Sequence, residues 1–412
     1  MAKPYKLTLF LVLALALTGC TAVPAPVMGK PDDSILKAFE KTTAGLNNRF
    51  GLELYTQLLE ENENLLMSPV SVGLALAMAY NGADGETREA MAKVLQAQGI
   101  DLEELNKNNL ALLYFLRTAD EKVQLNIANS LWKRQGFSFA GEFVSRVQEF
   151  YLAAARELDF NDPKAADTIN RWVKESTEGL IPEIVEDPID PLTIMFLINA
   201  VYFQGEWTQK FEKELTSEQT FYTAAGGEVK VPMMYQSGRY DYYRNDYFQA
   251  VRLPYGQEGR MAMYVFLPHE DVGLQGFHAE LTEGLEGWLG KFTEGEGTIL
   301  LPRFTLEYEK SLKEPLKALG MGRAFDPARA EFAKMVPEGS RDDIYISDVK
   351  HKAFIQVDEA GTEAAAVTSV EVRVTSMPMY DFQMEVNRPF FYVIHDRETE
   401  TILFMGCVQD LT

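Results

Sequence analysis

Residues 359–376 read Glu359-Ala-Gly-Thr-Glu-Ala-Ala-Ala-Val-Thr-Ser-Val-Glu-Val-Arg-Val-Thr-Ser376 and join two unlike halves. The first half holds Gly361 and the alanines Ala364, Ala365 and Ala366, a small, flexible stretch with no large side chain to bury. In the second half Thr368, Val370, Val372 and Val374 alternate with Ser369, Glu371, Arg373 and Thr375. That is the period-two pattern of a strand with one buried face. Carried backwards, the same parity puts Thr362, Ala364 and Ala366 on the inner face, and Glu363 and Ala365 on the outer one. Met377-Pro378-Met379 then breaks any ladder, because proline has no amide hydrogen to donate. Taken alone, the pattern also fits an ordinary edge strand after a glycine turn, so the flanking sequence has to decide.

Upstream, helical patterning dominates. Ile35 to Glu60 is amphipathic, and Ser68-Pro69 starts a second helix, with serine as the cap and proline in the first turn. Val70 to Tyr80 is apolar nearly all round, which places that helix in the core. Asn81-Gly82 stops it, and Glu86 to Leu95 forms a third. Strand signals follow: a continuous apolar run from Ile194 to Phe203, then Met261–Leu267, Ile344–Val357, Phe390–Ile394 and Thr401–Val408. The last two straddle Asp396-Arg397-Glu398-Thr399, a hairpin turn. Helices first and many strands later argue for an α+β fold with large, mostly antiparallel sheets.

The motifs around the opening stretch agree with one another in order. Downstream stands Val386-Asn387-Arg388-Pro389-Phe390-Phe391-Tyr392-Val393-Ile394, then Ile402 to Gly406. Upstream stand Asn64 with Ser68, Pro69 and Ser71, then Ala128-Asn129-Ser130-Leu131-Trp132. Ile198-Asn199-Ala200-Val201-Tyr202-Phe203 with Gly205 and Trp207 follows, and after it Leu301-Pro302-Arg303-Phe304. Together with Val357 to Ala366 they closely resemble the serpin family, from about Ile35 to the C-terminus. The resemblance implies a serpin fold: three β-sheets, about nine helices and an exposed reactive-centre loop. It also implies a suicide inhibitor, a non-enzyme whose partner is a serine protease held in a covalent complex while the cleaved loop inserts into the main sheet.

Residue roles follow from the same resemblance. Glu359, Gly361, Thr362, Ala364, Ala365 and Ala366 form the loop hinge. Glu359 is expected to pair with Arg303, with Trp207 packed beside them. Ser68, Ser71, Asn199 and His351 match the region where the sheet opens. Independently, Asn199 and His351 are polar residues inside apolar strand runs, and burying either unpaired would cost roughly 1–3 kcal/mol. A hydrogen bond between them is the expected remedy, whether or not it has a role in opening. The family's usual loop length puts the scissile bond at Thr375–Ser376, which suits elastase-like or subtilisin-like proteases. The stretch to Asn387 is about three residues longer than usual, so Met377–Pro378 is the alternative. A non-inhibitory serpin acting as a binding or chaperone-like surface protein is the competing function. Such members tend to carry bulky or charged residues on the inserting face of the hinge, and this chain has none there.

Composition narrows the setting. Among 412 residues the formal net charge is −22, and removing the two lysines of the first nineteen residues takes the rest to −24. An acidic body of this kind argues against nucleic acid as a partner. Motifs for phosphate binding, a nucleophile elbow or metal ligation are missing from the sequence, and the four histidines are scattered. No cofactor, no metal and a monomer are expected. Lys3 and Lys6 precede an apolar run, Leu9 to Leu17, too short to span a membrane. It ends in Leu17-Thr18-Gly19-Cys20, which resembles a bacterial lipobox; the alternative is an ordinary secretion signal with a chance cysteine. The expected organisation is a signal peptide over 1–20 with lipidation at Cys20, a tether over 21–34 and the serpin domain over 35–412. A lipid anchor would then hold the protein to a membrane at the cell surface. Thr21 in place of aspartate favours the outer membrane where there is one. Cys407, with Cys20 lipidated, is left as a small buried hydrophobe.

Overall fold

The computed structural model describes residues 30–37, 39–340, 344–362 and 380–412. The expectations for Cys20 and its flanks, for Ala364, Ala365 and Ala366, and for the Thr375–Ser376 bond lie outside these residues. Two sheets carry the described chain. The main sheet has six strands, numbered here in chain order: β1 (Val123–Arg134), β2 (Ala154–Leu158), β3 (Met195–Glu206), β4 (Phe304–Ser311), β5 (Asp348–Val357) and β6 (Gly361–Thr362). Their spatial order is β4-β5-β6-β3-β1-β2.

The second sheet, of nine strands, contains the Phe390–Asp396 and Thr401–Val408 hairpin, Met261–Pro268 and Phe248–Pro254. Its Glu228–Arg244 strand pairs with Phe248–Pro254 at one end and with Thr293–Pro302 along its length. Hydrogen bonding through that long strand joins two of the three expected sheets into one continuous path.

The central strand β3 is buried on both faces, and its parity shows how. Met195, Leu197, Val201 and Phe203 join the large core, whereas Phe196, Ile198 and Ala200 join a smaller cluster beneath the Ala165–Ser176 helix. This is why the run from 194 to 203 does not alternate in hydrophobicity. The Pro69–Tyr80 helix lies under the sheet with all twelve residues buried, and the Ser68 hydroxyl caps it by accepting from the Ser71 amide at 3.3 Å. At about 1.5–3 kcal/mol for each large apolar side chain removed from water, this helix is a principal source of core stability.

Two expected elements differ. The first amphipathic run is divided into helices Asp33–Lys37 and Lys41–Leu58. Residues 344–347 are not part of β5, although Ile344 and Ile346 are buried. Their backbone is used elsewhere: the Ile346 amide donates to Ala324 O, the Ser347 amide donates to Met195 O, and the Ser347 hydroxyl accepts from the Ile194 amide. Apolar patterning detects their burial but cannot distinguish those partners from a ladder.

Candidate functional site

The site is the seam between β3 and β5. Over most of its length these strands pair directly and in parallel, from Asp348 opposite Phe196 to Phe354 opposite Tyr202. At one end they part, and the two residues of β6 fill the gap. Thr362 stands opposite Val357 on one side and Gly205 on the other, antiparallel to both strands. Gly361, with φ +148°, faces Glu206; a Cβ there would come within 2.0 Å of Gly205 O, so only glycine lets the backbone enter so closely.

Thr362 is fully buried on the large-core side and shares a 2.9 Å hydrogen bond with the Tyr255 hydroxyl. Tyr255 in turn stacks on Trp207 with ring centroids 4.3 Å apart. The Trp207 indole donates to Asp358 O at 2.9 Å, and its amide donates to Ala360 O at 3.0 Å. Glu359, only 2% exposed, accepts from the Arg303 guanidinium at 2.5 Å and from the Thr216 hydroxyl at 2.7 Å. Burial opposes the charged form, but these two donors hold Glu359 below the usual carboxylate range. The structure thus brings Glu359, Arg303, Trp207, Gly361 and Thr362 into one cluster.

Farther along the seam Asn199 is the hub of a second cluster, on the face that meets the Pro69–Tyr80 helix. Its amide donates to the Ser71 hydroxyl at 2.5 Å and to Asn129 Oδ1 at 2.6 Å, while its carbonyl accepts from His351 Nδ1 at 2.6 Å. All four residues are buried. The network therefore ties β1, β3, β5 and the helix together, and the Asn199–His351 bond crosses the seam. Ser68 is near but spends its hydroxyl on the helix cap.

Three contributors escaped sequence reasoning. Asn129 was discoverable, since it is a polar residue in the apolar run of β1. Tyr255 and Thr216 carry no local signal, because their roles arise only from tertiary contact.

Burial depresses the imidazole of His351 to about 3, and those of His278 and His395 to about 4. The unfolded chain protonates these rings near their ordinary value of 6.5, so it binds protons that the folded state refuses. Stability is therefore full above pH 6.5 and falls as pH drops through the unfolded value. The expected slope reaches about 1.4 kcal/mol per pH unit for each histidine. Between pH 7.5 and 5 the urea midpoint should fall steeply, before the acid-shifted carboxylates contribute. A flat midpoint would contradict three neutral buried rings.

Among the described residues no group of acidic, histidine or cysteine side chains could hold a metal ion, and no helix is long and apolar enough to cross a membrane. The family model for Serpin (serine protease inhibitor) matches residues 45–411. An uncharacterized serpin-like protein of Thermococcus kodakarensis is 38% identical over 384 residues, covering 91% of this chain and 87% of that protein. Antithrombin-III of Mus musculus is 34% identical over 378 residues, covering 88% and 80%. Among solved structures, the thermophilic serpin tengpin in its native state superposes with a TM-score of 0.82 at 34% identity, covering 94% of this chain and 97% of that one. A main sheet whose seam admits Gly361 and Thr362 at one end, and a family match across nearly the whole chain, lead to one assignment: this chain belongs to the serpin family.

Proposed function

We propose that the chain is an irreversible inhibitor of serine proteases of elastase-like or subtilisin-like preference. The observation that carries this reading is β6: the first inner-face residue of the loop, Thr362, already occupies the place between β3 and β5 that an inserting strand would extend. The protease serine Oγ attacks the carbonyl carbon of Thr375. The peptide C–N bond breaks, and the leaving amine of Ser376 takes a proton. The resulting ester holds the protease to the new C-terminus. If the freed strand enters the seam before water attacks the ester, the protease is carried away from its entry point and the ester persists.

The inner face, Thr362, Ala364, Ala366, Thr368, Val370, Val372 and Val374, supports this reading, because small or β-branched side chains suit a central strand. Incubation with each protease class followed by denaturing electrophoresis tests it. A complex that survives denaturation is expected; complete cleavage without complex would favour a non-inhibitory serpin acting as a binding or chaperone-like surface protein.

We further propose that residues 1–20 direct export and that lipid on Cys20 anchors the protein through a tether over 21–34. Two buried acyl chains suffice for stable membrane attachment. Cys20→Ser should move the protein from the membrane fraction to the soluble fraction, and an unchanged distribution would contradict the anchor.

A further inference from the structure

Among the described residues Leu192 is the most exposed large apolar side chain, at 77%. A lone exposed leucine ordinarily needs no explanation, and a loop tip is ordinarily loose. This tip is held. The Arg134 guanidinium, at the end of β1, donates to Asp190 O at 3.4 Å, Pro191 O at 2.8 Å and Thr193 O at 2.8 Å. The Tyr345 hydroxyl donates to Leu192 O at 3.0 Å, and the Leu192 amide donates to Asp190 Oδ1 at 2.8 Å. Every carbonyl from Asp190 to Thr193 therefore accepts from a side chain, while the leucine side chain they carry is left to solvent.

The register of β6 shows what reaches this tip. Thr362 stands opposite Gly205 of β3 and Val357 of β5, antiparallel to both. A strand continued in that register sets Glu371 opposite Phe196 and Asp348, the pair at the far end of the seam. Thr375 is thirteen residues beyond Thr362, Leu192 thirteen before Gly205 and Ile344 thirteen before Val357. The same count thus brings Thr375 level with Leu192 on one side and Ile344 on the other.

We propose that Leu192 is a contact for the trapped protease, meeting its surface at the acylated end and keeping water from the ester. The contact rests on the trapping mechanism proposed above. Release of the protease needs water to attack the carbonyl carbon of Thr375. The ester C–O bond breaks, the serine Oγ leaves with a proton, and Thr375 keeps a carboxylate. An apolar side chain packed there slows the attack, and a backbone already fixed by Arg134 and Tyr345 loses little freedom in making the contact.

The test compares the parent with Leu192→Ala and Leu192→Met, using an elastase-like and a subtilisin-like protease and following the protease activity that returns from each purified complex. Loop cleavage and complex yield should be equal in all three, because Leu192 lies at the opposite end of the seam from β6. Activity should return roughly tenfold faster from the Leu192→Ala complex and at the parental rate from Leu192→Met. Equal return from Leu192→Ala and the parent would overturn the contact and leave trapping intact. Lower complex yield in Leu192→Ala would also overturn it, by placing the leucine in insertion. A parent that retains neither protease would overturn trapping itself, and the contact with it. Sedimentation of the uncleaved parent as a dimer, with Leu192→Ala a monomer, would assign the leucine to a second copy of the chain and overturn the protease contact.

Discussion

Thr362→Arg is expected to turn the protein from an inhibitor into a substrate, cleaved at the normal rate but retaining almost no protease. Thr362 is fully buried between β3 and β5, with its hydroxyl on Tyr255. An arginine there would have to bury a guanidinium where the Tyr255 hydroxyl now meets Thr362, at a cost of several kcal/mol. In the proposed mechanism insertion competes with hydrolysis of the ester, so about 1.4 kcal/mol added to the insertion barrier would shift that competition tenfold. The number of inhibitor molecules consumed per protease trapped should therefore rise by roughly tenfold or more. Thr362→Val, which keeps the shape and loses only the Tyr255 bond, should trap nearly as well as the parent. Equal complex yield from Thr362→Arg would mean that this face does not enter the sheet.

The second large effect is expected at Asn199. Replacing it with alanine leaves the Ser71 hydroxyl, Asn129 Oδ1 and His351 Nδ1 without their partner in a buried site. Orphaned groups cost about 1–3 kcal/mol each, and partial relaxation brings the total to roughly 2–5 kcal/mol. The urea midpoint of the native form should fall accordingly. Because the Asn199–His351 bond crosses the seam, the proposed inhibitory activity should also be lost faster on storage, as the uncleaved loop enters the loosened sheet. A midpoint and an active half-life equal to the parent's would place the network outside the opening mechanism.

Both predictions rest on features that differ in how far the sequence discloses them. The alternation from Thr368 to Thr375 is local, so parity could be carried back to Thr362, and the structure seats Thr362 on the core face. Asn199 and His351 stood out because each is polar within an apolar run. By contrast, Tyr255 and Thr216 meet Thr362 and Glu359 only through folding of distant segments, and neither has an unusual neighbourhood in the sequence. Residues 344–347 mislead for a related reason: burial gives them the appearance of a strand, while their amides serve other partners. Patterning reports which residues are removed from water, but it does not report where their hydrogen bonds go.

The register of β6 makes loop insertion open to one direct measurement, the crystal structure of the protein cleaved in its loop. Thr362 lies opposite Gly205 and Val357, both antiparallel. Six residues further on, the same register brings Thr368 opposite Asn199 and His351, the pair whose hydrogen bond now closes the seam. A new strand between β3 and β5 is expected, with the Thr368 hydroxyl between those two side chains. A cleaved structure in which β3 and β5 remain paired, or in which Val367 or Ser369 takes that place, would contradict it.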